Sequence, residues 1–348
     1  MVARGSWYVK RTLTLMILLG GALLALWPST ASATFAGTNG RIAFTASHEV
    51  TGQCPPGSDS PQGTVTDDAI FTMNPDGSAP RQVTTTQHNY PGCSWLGSFS
   101  FDAAYDDYPS YSPSGKQLAF TLEDYSSEDG WFSYIGAIHA DGTDRHLLTD
   151  DNMLDSSQPA FSPDGKRIVF GFTDGIALMR SDGIDKRRVT DEKGTEADPS
   201  FFPNGKRIVF VSKVYGPSGF STSSISTIRL DGSHRHRLTA KSSASLNSPE
   251  VSPDGRRIVF GRGTGIYVMR ADGTHQRRLA DGSEPVFSPN GKRIAFSRVT
   301  SSHPPNGEVI VMNADGSYQH AVIPNPLPFG VADSSALALG QPSWGTKP

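Results

Sequence analysis

Cysteine is nearly missing from this chain: of 348 residues, only Cys54 and Cys93 carry thiols. They form no C-x-x-C pair, which leaves a redox-catalytic role without support. An excess of charge is missing too, with 31 basic residues against 34 acidic ones and a formal net charge of −3. A mildly acidic chain is a poor nucleic-acid binder by bulk field. No G-x-S-x-G occurs, so the nucleophile elbow of an α/β-hydrolase is excluded. No apolar run reaches the roughly 20 residues of a membrane span. The longest, Leu13 to Trp27, is shorter.

That run sits where an export signal would place it. Arg4, Lys10 and Arg11 precede it and Ala31-Ser32-Ala33 follows as an A-x-A cleavage site. Residues 1–33 are therefore expected to be a signal peptide, with a retained anchor helix as the weaker reading. No cysteine offers a lipid attachment point there. Cleavage after Ala33 would take the formal charge from −3 to −6, because three basic residues leave and no acidic one does. The mature protein is expected to be secreted or periplasmic, monomeric, and free of nucleic acid, membrane insertion and cofactors. In an exported protein two cysteines suggest one disulfide, Cys54 to Cys93. Two free thiols are the weaker alternative.

Gly and Pro are plentiful, at 36 and 25 residues, above the usual ~12% share. They recur at fixed spacing. One unit, PAFSPDGKRIVF, runs from Pro159 to Phe170, with relatives at Pro109–Phe120, Pro199–Phe210, Pro249–Phe260 and Pro285–Phe296. A partial copy begins at Asn39-Gly40. A second unit, IALMRSDGIDKRRVT (Ile176–Thr190), follows each copy, with Asp-Gly at one offset: Asp76, Asp141, Asp182, Asp231, Asp272 and Asp315 each precede glycine.

Ser162-Pro163-Asp164-Gly165 suits a type I turn, since proline presets φ at the second position and glycine takes the positive φ that follows. It would join strand A to strand B (Arg167–Phe170), which is apolar and expected to be buried on both faces. Strand C is Ile176–Met179. Asp182-Gly183 turns into strand D, whose Lys186, Arg187 and Arg188 would protect an outer edge. Four antiparallel strands per repeat make a propeller blade. Pro342-Ser343-Trp344 matches an A strand without its turn, and Asn39-Gly40-Arg41-Ile42 supplies the continuation. The C-terminus is thus expected to close the ring with the N-terminal blade, with Phe35-Ala36 competing for the slot. The expected fold is all-β: a six-bladed propeller over residues 34–348.

These units resemble the TolB-type WD40-like repeat, whose pattern centres on P-x-F-S-P-D-G-K-x-I-x-F and a later D-G…R-x-L-T. The resemblance implies a six-bladed propeller in an exported protein, often a protein-binding module. TolB-type proteins also resemble an α/β domain fused ahead of the propeller. About six residues separate Ala33 from the first repeat, so that domain is not expected here, and a Tol–Pal role is not implied.

Function is expected on the face opposite the uniform turns. The B–C loops 45–69, 121–134, 211–224 and 297–308 and the D–A loop 85–107 all map there, and binding residues concentrate on variable loops held by a rigid scaffold. Cys54 and Cys93 both lie on that face. So do Tyr90, Trp95, Tyr105, Trp131, Tyr134 and Tyr215, which could anchor a protein, peptide or glycan. Equally, they could pack beneath their own loops. Residues preceding the strand-A prolines should ring the tunnel mouth: Tyr108, Gln158, Asp198, Ser248, Glu284 and Gln341. Asp198 and Glu284 could take a cation or a basic peptide terminus, or be solvated or bonded to backbone. Basic runs such as Arg235-His236-Arg237 and Arg277-Arg278 read as edge protection rather than nucleic-acid contacts, and His234 and His236 lack a third metal ligand. The expected function is a non-catalytic binding scaffold. The alternative is a tunnel-mouth enzyme of the metal-dependent lactonase or hydrolase type.

Overall fold

Each repeat closes its first turn as its residues require. Gly165 N–H donates to the Ser162 carbonyl at 2.8 Å with φ at 69°. The Ser162 hydroxyl donates to Asp164 Oδ1 at 2.6 Å and accepts from Arg167 N–H at 2.9 Å. Strands leave this turn antiparallel.

The computed structural model describes residues 37–53, 62–85, 103–126, 130–150, 153, 155–173, 175–190, 195–215, 221–299, 307–322 and 342–347. They form six four-stranded antiparallel sheets. Blade 1 contains β1 (Asn39–Gln53), β2 (Gln62–Met73) and β3 (Arg81–Gln82). Blade 2 contains β4 (Ala103–Tyr111), β5 (Gln117–Ser126), β6 (Gly130–His139) and β7 (His146–Leu147). Blade 3 contains β8 (Ser157–Phe161), β9 (Arg167–Phe172), β10 (Gly175–Arg180) and β11 (Arg187–Arg188). Blade 4 contains β12 (Thr195–Phe201), β13 (Arg207–Tyr215), β14 (Ser221–Arg229) and β15 (His236–Arg237). Blade 5 contains β16 (Leu246–Val251), β17 (Arg257–Arg262), β18 (Gly265–Arg270) and β19 (Arg277–Asp281). Blade 6 contains β20 (Ser283–Phe287), β21 (Arg293–Val299), β22 (Gly307–Asn313) and β23 (His320–Ala321). The last strand, β24 (Ser343–Thr346), returns to blade 1 as its innermost strand.

The closure is that expected from the repeats. Ile42 pairs with Trp344 and Ala43 with Ser343. Trp344 is 1% exposed. Ser343 Oγ accepts from Tyr111 N–H at 3.0 Å, and Thr346 Oγ1 donates to the Pro113 carbonyl at 2.6 Å, so β24 also ties blade 1 to blade 2.

Apolar side chains on both faces of the middle strands seal the seams, as dispersion and burial require. Phe120 gathers Ile70 of blade 1 and Phe170 of blade 3. Val169 meets Phe210, Val211 meets Phe260, Val259 meets Phe296, and Val311 meets Phe44 within clusters that span successive blades.

In four blades a threonine follows the short outer strand. Thr84, Thr149, Thr190 and Thr239 each accept, through Oγ1, the N–H of a strand-C isoleucine fourteen positions earlier (Ile70, Ile135, Ile176 and Ile225), at 2.8–2.9 Å. The edge strand is two residues long in these four blades and equally so in blade 6, where the sequence has Ile323 at that position. Blade 5 has Ala280 there, and β19 runs on to Asp281 opposite Gly265.

The long B–C segments differ from expectation. In blades 1, 2 and 4 their described residues are hairpin extensions rather than loops. Pairing in blade 1 continues to Gln53 opposite Gln62, and in blade 2 to Ser126 opposite Gly130. Runs such as Thr64-Val65-Thr66 have the β-branched content that favours strand. In blade 4 the ladder reaches Tyr215 opposite Ser221. Among the described residues no helix is long and apolar enough to cross a membrane.

Candidate functional site

The inner strand of blades 2 to 6 breaks its pairing beside the strand-A proline. Register skips from Asp107 to Ser110, Ser157 to Ala160, Ala197 to Ser200, Asn247 to Glu250 and Ser283 to Val286. Two residues therefore stand opposite one, which is a β-bulge. The first of the two is left-handed in every case: Tyr108, Gln158, Asp198, Ser248 and Glu284 have φ of 50°, 56°, 52°, 46° and 55°. Such a conformation costs a non-glycine residue about 1–3 kcal/mol and persists only where its surroundings impose it.

Those surroundings are hydrogen bonds from blade to blade. Gln158 N–H donates to Thr121 Oγ1 of blade 2 at 2.9 Å. Gln158 Oε1 accepts from Asp198 N–H of blade 4 at 2.9 Å. The Asp198 carboxylate accepts from the backbone of Ser248 in blade 5. Asp107 accepts from Thr45 Oγ1 of blade 1 at 2.7 Å and from Tyr108 N–H at 2.7 Å. Deeper in the channel, Glu250 accepts from Phe287 N–H of blade 6 at 2.6 Å.

The bulges open on the face that carries the B–C hairpins, since Ser157 pairs with Gly171 near the β9–β10 hairpin. Below them the six prolines Pro109, Pro159, Pro199, Pro249, Pro285 and Pro342, with Gln158 and Asp198, line an axial cavity of about 80 Å³.

The mouth is acidic and poorly solvated. Burial pushes the Glu284 carboxyl up to about 8, reinforced by Asp107 and Asp198 and opposed by a hydrogen bond from Ser297. Glu284 Oε2 is closed from solvent and has no hydrogen-bond partner. Burial also raises Asp198, against the Ser248 hydrogen bond and the charge of Lys213. It raises Asp107 and Glu123 as well. The Tyr108 hydroxyl is pushed well up by burial and then by Asp107, Glu284, Asp198 and Glu123. These groups share one field that disfavours further negative charge and favours a cation. Among the described residues no three His, Cys, Asp or Glu side chains converge as metal ligands.

Two arginines brace the inner strands behind the mouth. Arg145 pairs with Asp106 at 2.7 Å, and Arg235 with Glu196 at 2.6 Å, both carboxylates having no solvent exposure. Each guanidinium lies over a strand-B ring, Phe120 at 5.4 Å and Phe210 at 5.2 Å. Arg235, expected as part of an exposed edge, therefore points inward. His236 and Arg237 remain on the edge strand, exposed.

Of the residues expected at the mouth, Tyr108, Gln158, Asp198, Ser248 and Glu284 occupy equivalent bulges. Gln341 lies outside the described residues. Among the aromatic candidates, Tyr215 is 63% exposed, while Tyr105 and Tyr134 are half-buried. Trp131 is on β6 opposite Tyr125. Tyr90, Trp95, Cys54 and Cys93 lie outside the described residues. Asp107 and Glu123 had no sequence signal, since neither holds a position marked by a turn or a repeat.

The family model of the TolB beta propeller domain matches residues 109–327. None of the curated proteins matches. Among solved structures, the TolB of Acinetobacter baumannii is 20% identical, with a TM-score of 0.61, covering 90% of this chain and 68% of that one. A chain of a nidogen/laminin complex is 12% identical, with a TM-score of 0.59, covering 88% and 98%. A TolB-like structure from Agrobacterium tumefaciens is 18% identical, with a TM-score of 0.52, covering 80% and 89%. At these identities the likeness is one of fold.

Proposed function

The chain belongs to the TolB beta propeller domain family, and on that premise we propose that it is an exported, non-catalytic scaffold that binds a protein, peptide or glycan on its hairpin face, drawing a cationic group of the partner to the acidic mouth. The observation that carries this reading is Glu284. Its carboxyl sits at about 8 among other desolvated carboxylates, and its Oε2 lacks a donor. A lysine, arginine or N-terminal amine would supply both the donor and the countercharge. Tyr215, exposed at the end of β13, and the hairpins around it would supply apolar contact.

The enzymatic alternative draws on the same group, since a carboxyl poised near neutrality could serve as a general acid. The two readings separate on ligand and turnover. The test is calorimetric titration of the chain from Thr34 with a tri-lysine peptide. Its association constant should rise at least about tenfold between pH 6.5 and 9 as Glu284 ionises while the lysines stay charged. Glu284→Gln should flatten the rise. A flat profile for the unaltered chain would contradict the proposal, and turnover of a lactone or ester lost on Glu284→Gln would favour the enzyme.

A further inference from the structure

The turn face, uniform in sequence, is not uniform in charge. Between blades 4 and 5 lies an open groove of about 1170 Å³. Its walls are the A–B turns and strand-C ends of both blades, and six cations line it: Lys206, Arg207, Arg229, Arg256, Arg257 and Arg270. The carboxylates there, Asp254 and Asp272, stay charged, each with Oδ1 held by its own turn. Asp254 Oδ1 accepts from Ser252 Oγ at 2.5 Å and Arg256 N–H at 3.0 Å. Asp272 Oδ1 accepts from Thr274 N–H at 2.9 Å and Thr274 Oγ1 at 2.7 Å.

Two of the cations are structural. Arg207 stacks on the Phe202 ring at 3.7 Å, and Arg257 lies over Phe287 and donates to the Ala314 and Gly291 carbonyls. The other four, Lys206, Arg229, Arg256 and Arg270, are exposed, and among the described residues none forms an ion pair. The repeat does not impose this. In blade 3 the equivalent Arg180 is paired with Asp182 at 2.6 Å, and blades 1, 2 and 6 carry Asn74, His139 and Asn313 at that position. A chain of net charge −3 thus sets six cations against two carboxylates in the lining of one groove, and that excess favours an anionic occupant. The groove also has an apolar floor of buried Ile228 and half-buried Leu238 and Ala271.

We propose that this groove docks an acidic peptide segment of a partner protein, its carboxylates on Lys206, Arg229, Arg256 and Arg270 and an apolar side chain on the Ile228–Leu238–Ala271 floor. Guanidinium groups suit carboxylates through paired hydrogen bonds. The floor favours a peptide over a phosphate polymer, which has no apolar side chain to cover it. The site lies on the opposite face from the acidic mouth and does not depend on it.

The test uses the full chain with three probes: a decapeptide of Glu with two Leu, its Gln-for-Glu counterpart, and inorganic polyphosphate. The acidic decapeptide should bind, weaken as salt is raised, and lose at least about tenfold in affinity on Arg256→Gln/Arg270→Gln, two exposed positions whose replacement should leave the melting temperature unchanged. Glu284→Gln should leave this binding untouched, which separates the groove from the mouth. Polyphosphate binding as tightly as the peptide would overturn the assignment. So would equal binding of the Gln counterpart, unchanged affinity in the double variant, or no binding of the acidic decapeptide at millimolar concentration.

Discussion

Glu196→Ala is expected to destabilise the propeller by about 3–5 kcal/mol, the range for removing one partner of a buried ion pair. Glu196 is wholly inaccessible on its side chain and holds Arg235 at 2.6 Å. Arg235 reaches it from the outer side of the blade, lying over Phe210 at 5.2 Å and donating to Ser212 Oγ at 3.1 Å. Without the carboxylate, a three-quarters-buried guanidinium would lose its counter-ion. The paired replacement Glu196→Leu/Arg235→Leu should be far less damaging, because apolar side chains of similar volume avoid the desolvation of both ions. Equilibrium urea unfolding measures both. A loss under about 1 kcal/mol for Glu196→Ala would mean the pair is solvated in solution. Asp106 and Arg145 repeat the geometry in blade 2.

Glu284→Gln is expected to act in the opposite direction and only at high pH. The native carboxyl sits at about 8 against an ordinary 4.5. The folded protein therefore holds a proton that the unfolded chain has lost, throughout the window between those values. Stability from this group is full below about pH 4.5, falls as pH rises towards 8, and changes no further above it. Glutamine resembles the protonated carboxyl and escapes that fall. The variant should match the unaltered chain near pH 4.5 and exceed it by on the order of 5 kcal/mol near pH 9, at about 1.4 kcal/mol per pKa unit over the shift from 4.5 to about 8. Urea midpoints at the two pH values read this out. An equal difference at both would place the effect in packing rather than ionisation.

The blade plan was legible because turns constrain residue type tightly. Gly165 at φ 69° and Gly183 at φ 82° are positions that glycine fills without strain. Six Asp-Gly copies in one register therefore marked six blades. Closure was legible for the same reason, since Trp344 continued a pattern whose turn resumed at Gly40. What escaped is what propensity opposes. A residue before proline ordinarily takes an extended backbone, so nothing local announces that Tyr108 or Glu284 is left-handed. The bulge is imposed by neighbouring blades, as the bond from Asp198 N–H to Gln158 Oε1 shows. Ala79, Asp144, Asp185, His234, His275 and Tyr318 are also left-handed after the C–D turn, and residue types as different as alanine, aspartate, histidine and tyrosine give no common signal there. The basic groove escaped for a related reason. Lys206-Arg207 and Arg256-Arg257 are unremarkable within their own blades and become a site only when two blades stand side by side.

Binding at the mouth is tested most directly by affinity capture. The chain from Thr34 and a Glu284→Gln/Trp131→Ala variant would be exposed in parallel to exported proteins and cell-wall glycans, with the retained material identified. A partner held by the unaltered chain and released by the variant, through a cationic segment protected from proteolysis in the complex, is the predicted result. A partner held equally by both would contradict a site at the acidic mouth.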